Sequence, residues 1–266
     1  MKYEKFLKSK EVNFKFKGFE VHKDDLNTNM FDYEKDCVLW ALKKGRCALF
    51  QDCGLGKTLQ QLEWSNQICK FTGGKVLILA PLAVSKQTKR EGEKFGIDVN
   101  IVSDESGIVD GINITNYEKL HKFNMQEFQG IVLDESSILK SFTGKLRDLI
   151  ISSCQSIPYR LACTATPAPN DYMELGNHAE FLGIMTRTEM LSMFFIHDGG
   201  NTSEWRLKGH AKDKFWKWMS SWSVVLKNPK DLGYMDKKFE LPKLNIMEVI
   251  VKDKNMKNTL IPMVAS

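Results

Sequence analysis

Short, almost uninterrupted apolar runs recur along this chain at 47–50, 75–80, 98–102, 111–115, 130–134 and 159–163. Each reads as a strand buried on both faces, because such a strand loses the alternation of a half-exposed one. Helical periodicity fills the gaps between them: residues 32–42 put Val38, Leu39, Ala41 and Leu42 on one side, and a second helix opens at 59–64. Strands alternating with helices predict an α/β fold, a parallel sheet with helices on both faces. The stretch 184–222 departs from the alternation, being rich in Met, Phe and Trp. Phe215, Trp218, Met219 and Trp222 stand at i, i+3, i+4 and i+7, so a helical extension with a packing face is expected there. Residues 1–30 alternate charge with Phe14, Phe16 and Phe19 and read as a strand-like lead-in; a last apolar run occupies 244–251.

Three of the predicted strand ends carry chemistry. After 47–50 comes Gln51-Asp52-Cys53-Gly54-Leu55-Gly56-Lys57-Thr58, a strand, a glycine turn and a helix start closing on Gly-Lys-Thr. In that arrangement the backbone N–H groups at the helix start cradle phosphates, the Lys57 ammonium reaches the β and γ groups, and the Thr58 hydroxyl ligates magnesium. The full phosphate-loop pattern has a glycine where this chain has Gln51, but Gly54 and Gly56 still free the backbone where it approaches a phosphate. Gly-Lys-Thr at a helix start by chance is the alternative. The run at 130–134 ends in Asp134-Glu135, placed at the carboxyl end of a strand, where ligands bind in open α/β sheets. Asp134 can hold magnesium through its hydration shell and Glu135 can orient and polarise a water; the bland alternative is a strand end with a turn. Thr164-Ala165-Thr166-Pro167 ends the next strand, and its hydroxyls can bridge the acidic pair to whatever moves on hydrolysis, or simply form a hydrogen-bonded turn.

Composition narrows the setting. Hydrophobic residues make up 42% of 266, ample for a core, and no apolar stretch approaches the length of a membrane span. Six cysteines without a C-x-x-C pair suggest neither a disulfide framework nor a zinc site, and a reducing cytoplasm is the expected location. His197, Asp198 and His210 match no common ligand spacing. The net charge of +5 is uneven: residues 208–257 carry twelve lysines against six carboxylates, and the first 23 residues seven against three. Basic ends permit polyanion binding, although a solvated lysine surface gives the same pattern.

Together, the three stretches resemble the first RecA-like lobe of superfamily-two helicases, specifically the Swi/Snf-type translocases in the small version found in phages and prophages. The resemblance runs from about residue 31 to about 242. It implies a RecA-like phosphate-loop NTPase that uses ATP and Mg2+, with nucleotide contacts at Glu34, Gly54, Leu55, Gly56, Lys57, Thr58 and Leu59. Lys57, Asp134 and Glu135 then take the catalytic roles, Thr58 and Asp134 hold the metal, and Thr164 and Thr166 couple hydrolysis to movement. Ala80-Pro81-Leu82-Ala83-Val84 with Lys86, Asn116-Tyr117, and Lys140 look like segments that contact the nucleic-acid backbone. Pro167-Ala168-Pro169-Asn170-Asp171, Glu174-Leu175-Gly176-Asn177 and His197-Asp198-Gly199-Gly200 suggest the phage branch.

Two departures change the expectation. Where the family reads adenine with a glutamine, this chain has Glu34, and a carboxylate accepts but cannot donate. Where the family has Ala-His after the acidic pair, Ser136-Ser137 stand instead, which removes a histidine relay. The resemblance further implies a second RecA-like lobe supplying arginines to the γ-phosphate, and residues 243–266 would be the connector to it. The expected function is the ATP-binding lobe of a translocase on double-stranded DNA. An RNA helicase of the same superfamily and a nucleotide-switched binding module without translocation are the alternatives.

Overall fold

The computed structural model describes residues 18–140, 144–198, 201–235, 239 and 245–247, with backbone only at 197–198 and 201–204. Its elements are α1 (Asp32–Lys44), β1 (Arg46–Gln51), α2 (Lys57–Thr72), β2 (Lys75–Ala80), α3 (Ser85–Phe95), β3 (Val99–Ile101), β4 (Ile112–Asn116) and β5 (Phe128–Asp134). There follow α4 (Lys145–Ser153), β6 (Tyr159–Thr164), α5 (Leu175–Leu182), α6 (Arg187–Phe194), β7 (Phe195–Asp198), β8 (Asn201–Leu207), α7 (Lys212–Ser220) and β9 (Ser223–Leu226). The chain divides at residue 235, and the first unit holds all of these elements.

Seven strands form one sheet in the order β3-β4-β2-β5-β6-β1-β9, with every pairing parallel. All six expected strands are present, and their burial explains the absence of alternation: β1, β2, β4, β5 and β6 are buried along almost their whole length. The pleat sends successive residues to opposite faces. In β1, Cys47 and Leu49 join a core under α1 and α2, whereas Ala48 and Phe50 join the other core, under α4, α5, α6 and α7.

The stretch 184–222 is mixed rather than purely helical. A β7–β8 hairpin, with Phe195 opposite Leu207 and Ile196 opposite Arg206, interrupts the helices. Phe215, Met219 and Trp222 form the expected packing face at 0%, 8% and 1% exposure. Directly after Trp222, β9 pairs alongside β1 and becomes the edge of the sheet, a strand of only four residues that the apolar pattern does not announce. Of the expected lead-in, residues 1–17 lie outside the described residues, and so do the expected apolar run 244–251 and connector 243–266 except for residues 245–247. Within residues 18–31 the described backbone is a short 3-10 turn at Lys23–Asp25, not a strand.

Candidate nucleotide site

Sheet register brings the three sequence motifs together. Phe50 of β1 pairs with Thr164 of β6, and Cys163 beside it pairs with Asp134 of β5. The phosphate loop, the threonine pair and the acidic pair therefore leave the sheet at one level of its carboxyl edge, with β6 between the other two.

The loop is built from its own neighbourhood. Gly54 and Gly56 adopt φ of 81° and 66°, in the region that favours glycine, and α2 starts at Lys57 directly afterwards. Gln51, standing where the usual pattern has a glycine, serves the structure of the loop. Its amide and that of Gln60 exchange hydrogen bonds of 2.8 and 2.9 Å, fully buried. Gln60 also donates to the Leu55 carbonyl at 2.7 Å, so the pair staples both ends of the loop to α2. At the mouth, the Lys57 ammonium donates to the Gln51 and Asp52 carbonyls at 2.9 and 3.0 Å. Asp52 N–H bonds the Leu226 carbonyl at 2.9 Å, tying the loop to β9.

Glu34 lies against this loop. A Cβ at Gly56 would meet Glu34 Oε1 at 1.8 Å, so a larger residue there would displace the Glu34 carboxyl as well as strain the backbone at this φ. The carboxyl is 3% exposed, accepts from the Phe31 N–H at 2.9 Å as part of a helix cap, and faces the Tyr33 hydroxyl at 3.4 Å. Burial pushes its pKa up to about 7, with the Phe31 N–H holding it back. Near neutrality Glu34 is thus partly a neutral acid, which carries an O–H donor that the carboxylate lacks.

The acidic pair is held from several directions. Asp134 is buried, accepts from Gln61 Nε2 at 3.0 Å, and its carboxyl pKa is raised by burial. Glu135 is exposed and has φ of 54°, the one positive value outside glycine among the described residues. Its Oε2 accepts from Thr164 Oγ1 at 3.3 Å, and Thr164 Oγ1 in turn accepts from Thr166 N–H at 3.1 Å. Of the two threonines expected to couple, Thr164 is therefore joined to Glu135 directly and Thr166 through Thr164. Ser136 is fully buried and its Oγ lies 3.1 Å from Nε2 of His178, whose pKa burial pushes down to about 4, keeping the ring neutral. A histidine thus sits beside the acidic turn after all, from α5 and 42 residues on; no spacing rule in the sequence points to it.

The donor set at the loop and strand end fits magnesium: a half-buried hydroxyl, Thr58, and a carboxylate, Asp134, both hard oxygen donors that leave most of the ion's waters in place. Gln61 Oε1, on the amide that holds Asp134, is buried without a hydrogen-bond partner, which suits a donor such as a metal-bound water. Leu55 and Leu59 are buried supports of the loop.

Of the residues expected to meet nucleic acid, Lys86 and Lys140 are exposed, the first at the start of α3 and the second beyond β5, on the same edge as the site. Asn116 and Tyr117, expected there too, have buried side chains. Tyr117 is 2% exposed and its hydroxyl donates to the Asp134 carbonyl at 2.6 Å; Asn116 is 8% exposed and its side chain caps a 3-10 turn by accepting from Lys119 N–H. Both side chains are thus bonded inward, Tyr117 to the strand end that carries Asp134. No described helix is long and apolar enough to cross a membrane, and no cluster of three potential metal-ligating His, Cys, Asp or Glu occurs among the described residues.

No family model matches the chain. It is 26% identical over 171 residues to the mouse DNA annealing helicase and endonuclease ZRANB3, covering 54% of this chain and 15% of that protein. It is 25% identical over 169 residues to the Xenopus tropicalis SWI/SNF-related matrix-associated actin-dependent regulator of chromatin subfamily A-like protein 1, covering 56% and 17%. The chain thus spans less than a fifth of these curated relatives. The Sulfolobus solfataricus SWI2/SNF2 ATPase core in complex with double-stranded DNA superposes with a TM-score of 0.63 at 24% identity, over 78% of this chain and 46% of that one. This likeness shows the fold: a RecA-like sheet of the SWI2/SNF2 ATPase kind.

Proposed function

We propose that this chain is the ATP-binding lobe of an ATP-dependent DNA translocase, coupling hydrolysis to movement on double-stranded DNA. The observation that carries it is the hydrogen bond from Thr164 to Glu135 at the sheet edge shared with Lys57 and Asp134, which joins a water-orienting carboxylate to a neighbouring strand end. The relatives whose names include a DNA annealing helicase, and the SWI2/SNF2 core solved on double-stranded DNA, support the same reading.

In this reading the loop from Gly54 to Thr58 receives the phosphates, and Lys57 exchanges its two carbonyl partners for phosphate oxygens. Leu59 supports the loop, and Glu34 meets the nucleobase side. Thr58, and Asp134 through water, would hold a magnesium ion, which would supply charge neutralisation at the phosphates. Glu135 orients and polarises the attacking water, and Thr164 with Thr166 senses its state. Lys86 and Lys140 touch the DNA backbone, reading no bases. A second RecA-like lobe completes the cleft, a phage or prophage origin is inferred from residues 167–177 and 197–200, and a cytoplasmic location from six free cysteines.

The deciding measurement is ATP turnover with double-stranded DNA, single-stranded DNA or RNA added, for the wild type and for Glu135→Gln. Stimulation by duplex DNA, lost in Glu135→Gln while ATP binding persists, is expected. Equal turnover in the variant would refute an enzymatic role, and stimulation by RNA alone would reassign the substrate.

A further inference from the structure

Two polar residues on α5 take no part in the chemistry proposed for the nucleotide site. Asn177 and His178 are fully buried on a helix whose other buried positions include Leu175, Ala179, Phe181 and Leu182. Polar side chains in such a place are costly unless bonded, so their partners matter. Asn177 Nδ2 donates to the Leu139 carbonyl at 2.6 Å, and His178 Nε2 lies 3.1 Å from Ser136 Oγ. Both partners belong to one element, the 3-10 turn Ser136–Lys140 that follows Glu135. Glu135 itself holds the left-handed conformation at φ 54°, which is strained for a residue with a side chain and persists only where surroundings impose it. Strand β5 fixes the chain before Glu135, and the two contacts from α5 fix the chain after it. The same His178 ring packs edge-on against Phe50, centroids 5.2 Å apart, on the strand that delivers the phosphate loop.

We propose that α5 is a clamp that aims Glu135, with His178 and Asn177 as positioning residues acting through Ser136 and Leu139. The clamp rests on the ATPase reading for its consequence in catalysis, though not for its consequence in the turn.

The test uses the whole chain with duplex DNA. His178→Phe keeps a ring against Phe50 but removes the nitrogen; His178→Gln returns a polar group near the position of Nε2. Two quantities are measured: amide hydrogen exchange across 134–140, and single-turnover hydrolysis alongside ATP affinity. In His178→Phe, exchange at 135–140 is expected to rise about tenfold while the β5 amides stay protected. Hydrolysis should fall about 10- to 100-fold with ATP affinity unchanged. His178→Gln should recover most of both, and Ser136→Ala, a small change that spares the core, should reproduce His178→Phe. The double variant should be no worse than either single one. Unchanged exchange at 135–140 in both His178→Phe and Ser136→Ala would overturn the clamp, as would multiplying effects in the double variant or a general rise across β5. A wild type that neither binds nor hydrolyses ATP would sink the ATPase reading instead, while exchange still decides the clamp.

Discussion

The side-chain bonds that staple the phosphate loop, Gln51 with Gln60 and Lys57 with Gln51, pair within nine positions, with a backbone bond from Asp52 to Leu226 added at its mouth, whereas the acidic turn is held from 17 to 73 positions away. Gln61, Tyr117, Thr164 and His178 come from four different elements to surround Asp134, Glu135 and Ser136. The local staples need only the strand and helix on either side of the loop. A turn assembled from distant parts takes its shape from the packing of the whole sheet edge. On the proposed function, this arrangement would separate two properties, assigning nucleotide affinity to the local device and the rate of water attack to the distributed one. Mutations far from the site should therefore alter rate more readily than affinity.

The sharpest break in that separation comes from Glu135→Gln. Single-turnover hydrolysis should fall about 100-fold or more, with ATP affinity intact by calorimetry; a parallel loss of affinity would show that the two devices are one. Next is Glu34→Gln. The folded pKa of about 7 lies above the ordinary value of 4.5, so the contribution of Glu34 to stability is complete below pH 4.5 and is lost as pH rises to about 7. Glutamine does not titrate, so the variant should gain on the wild type across that window, by at most about 3 kcal/mol at pH 8. Chemical denaturation at pH 5 and pH 8 measures it, and an equal difference at both values would contradict the burial of the carboxyl. Gln60→Met strands the Gln51 amide and the Leu55 carbonyl and should cost about 1–3 kcal/mol, with ATP affinity falling more than rate. The smallest effect is expected of Tyr117→Phe, about 1 kcal/mol of stability and a modest fall in rate. Its DNA binding should keep the wild-type salt dependence, since a buried hydroxyl neutralises no phosphate; a changed slope would return Tyr117 to the interface.

Legibility follows the same division. The glycines, Lys57 and Thr58 are readable because a phosphate loop is a contiguous string whose backbone demands are local, and six strands are readable because burial on both faces removes polar residues from them. The role of Gln51 is not, since a glutamine in a glycine's place shows its purpose only beside Gln60. For Asn116 and Tyr117 the position in the chain identifies the strand end, but not that the side chains turn inward. His178 escapes altogether, because nothing in a buried Leu-Gly-Asn-His-Ala run relates it to a serine 42 residues earlier.

Strand β9 has a consequence in time. The loop-bearing strand β1 is complete at Gln51, but its outer edge stays unpaired until Leu226 has been made. At about 5–20 residues per second of synthesis, that edge waits on the order of 10–35 s. An open, apolar edge strand invites pairing with other chains. The nascent protein thus carries an open apolar edge on the strand that leads into the phosphate loop, and the four residues Ser223–Leu226 are what cover it.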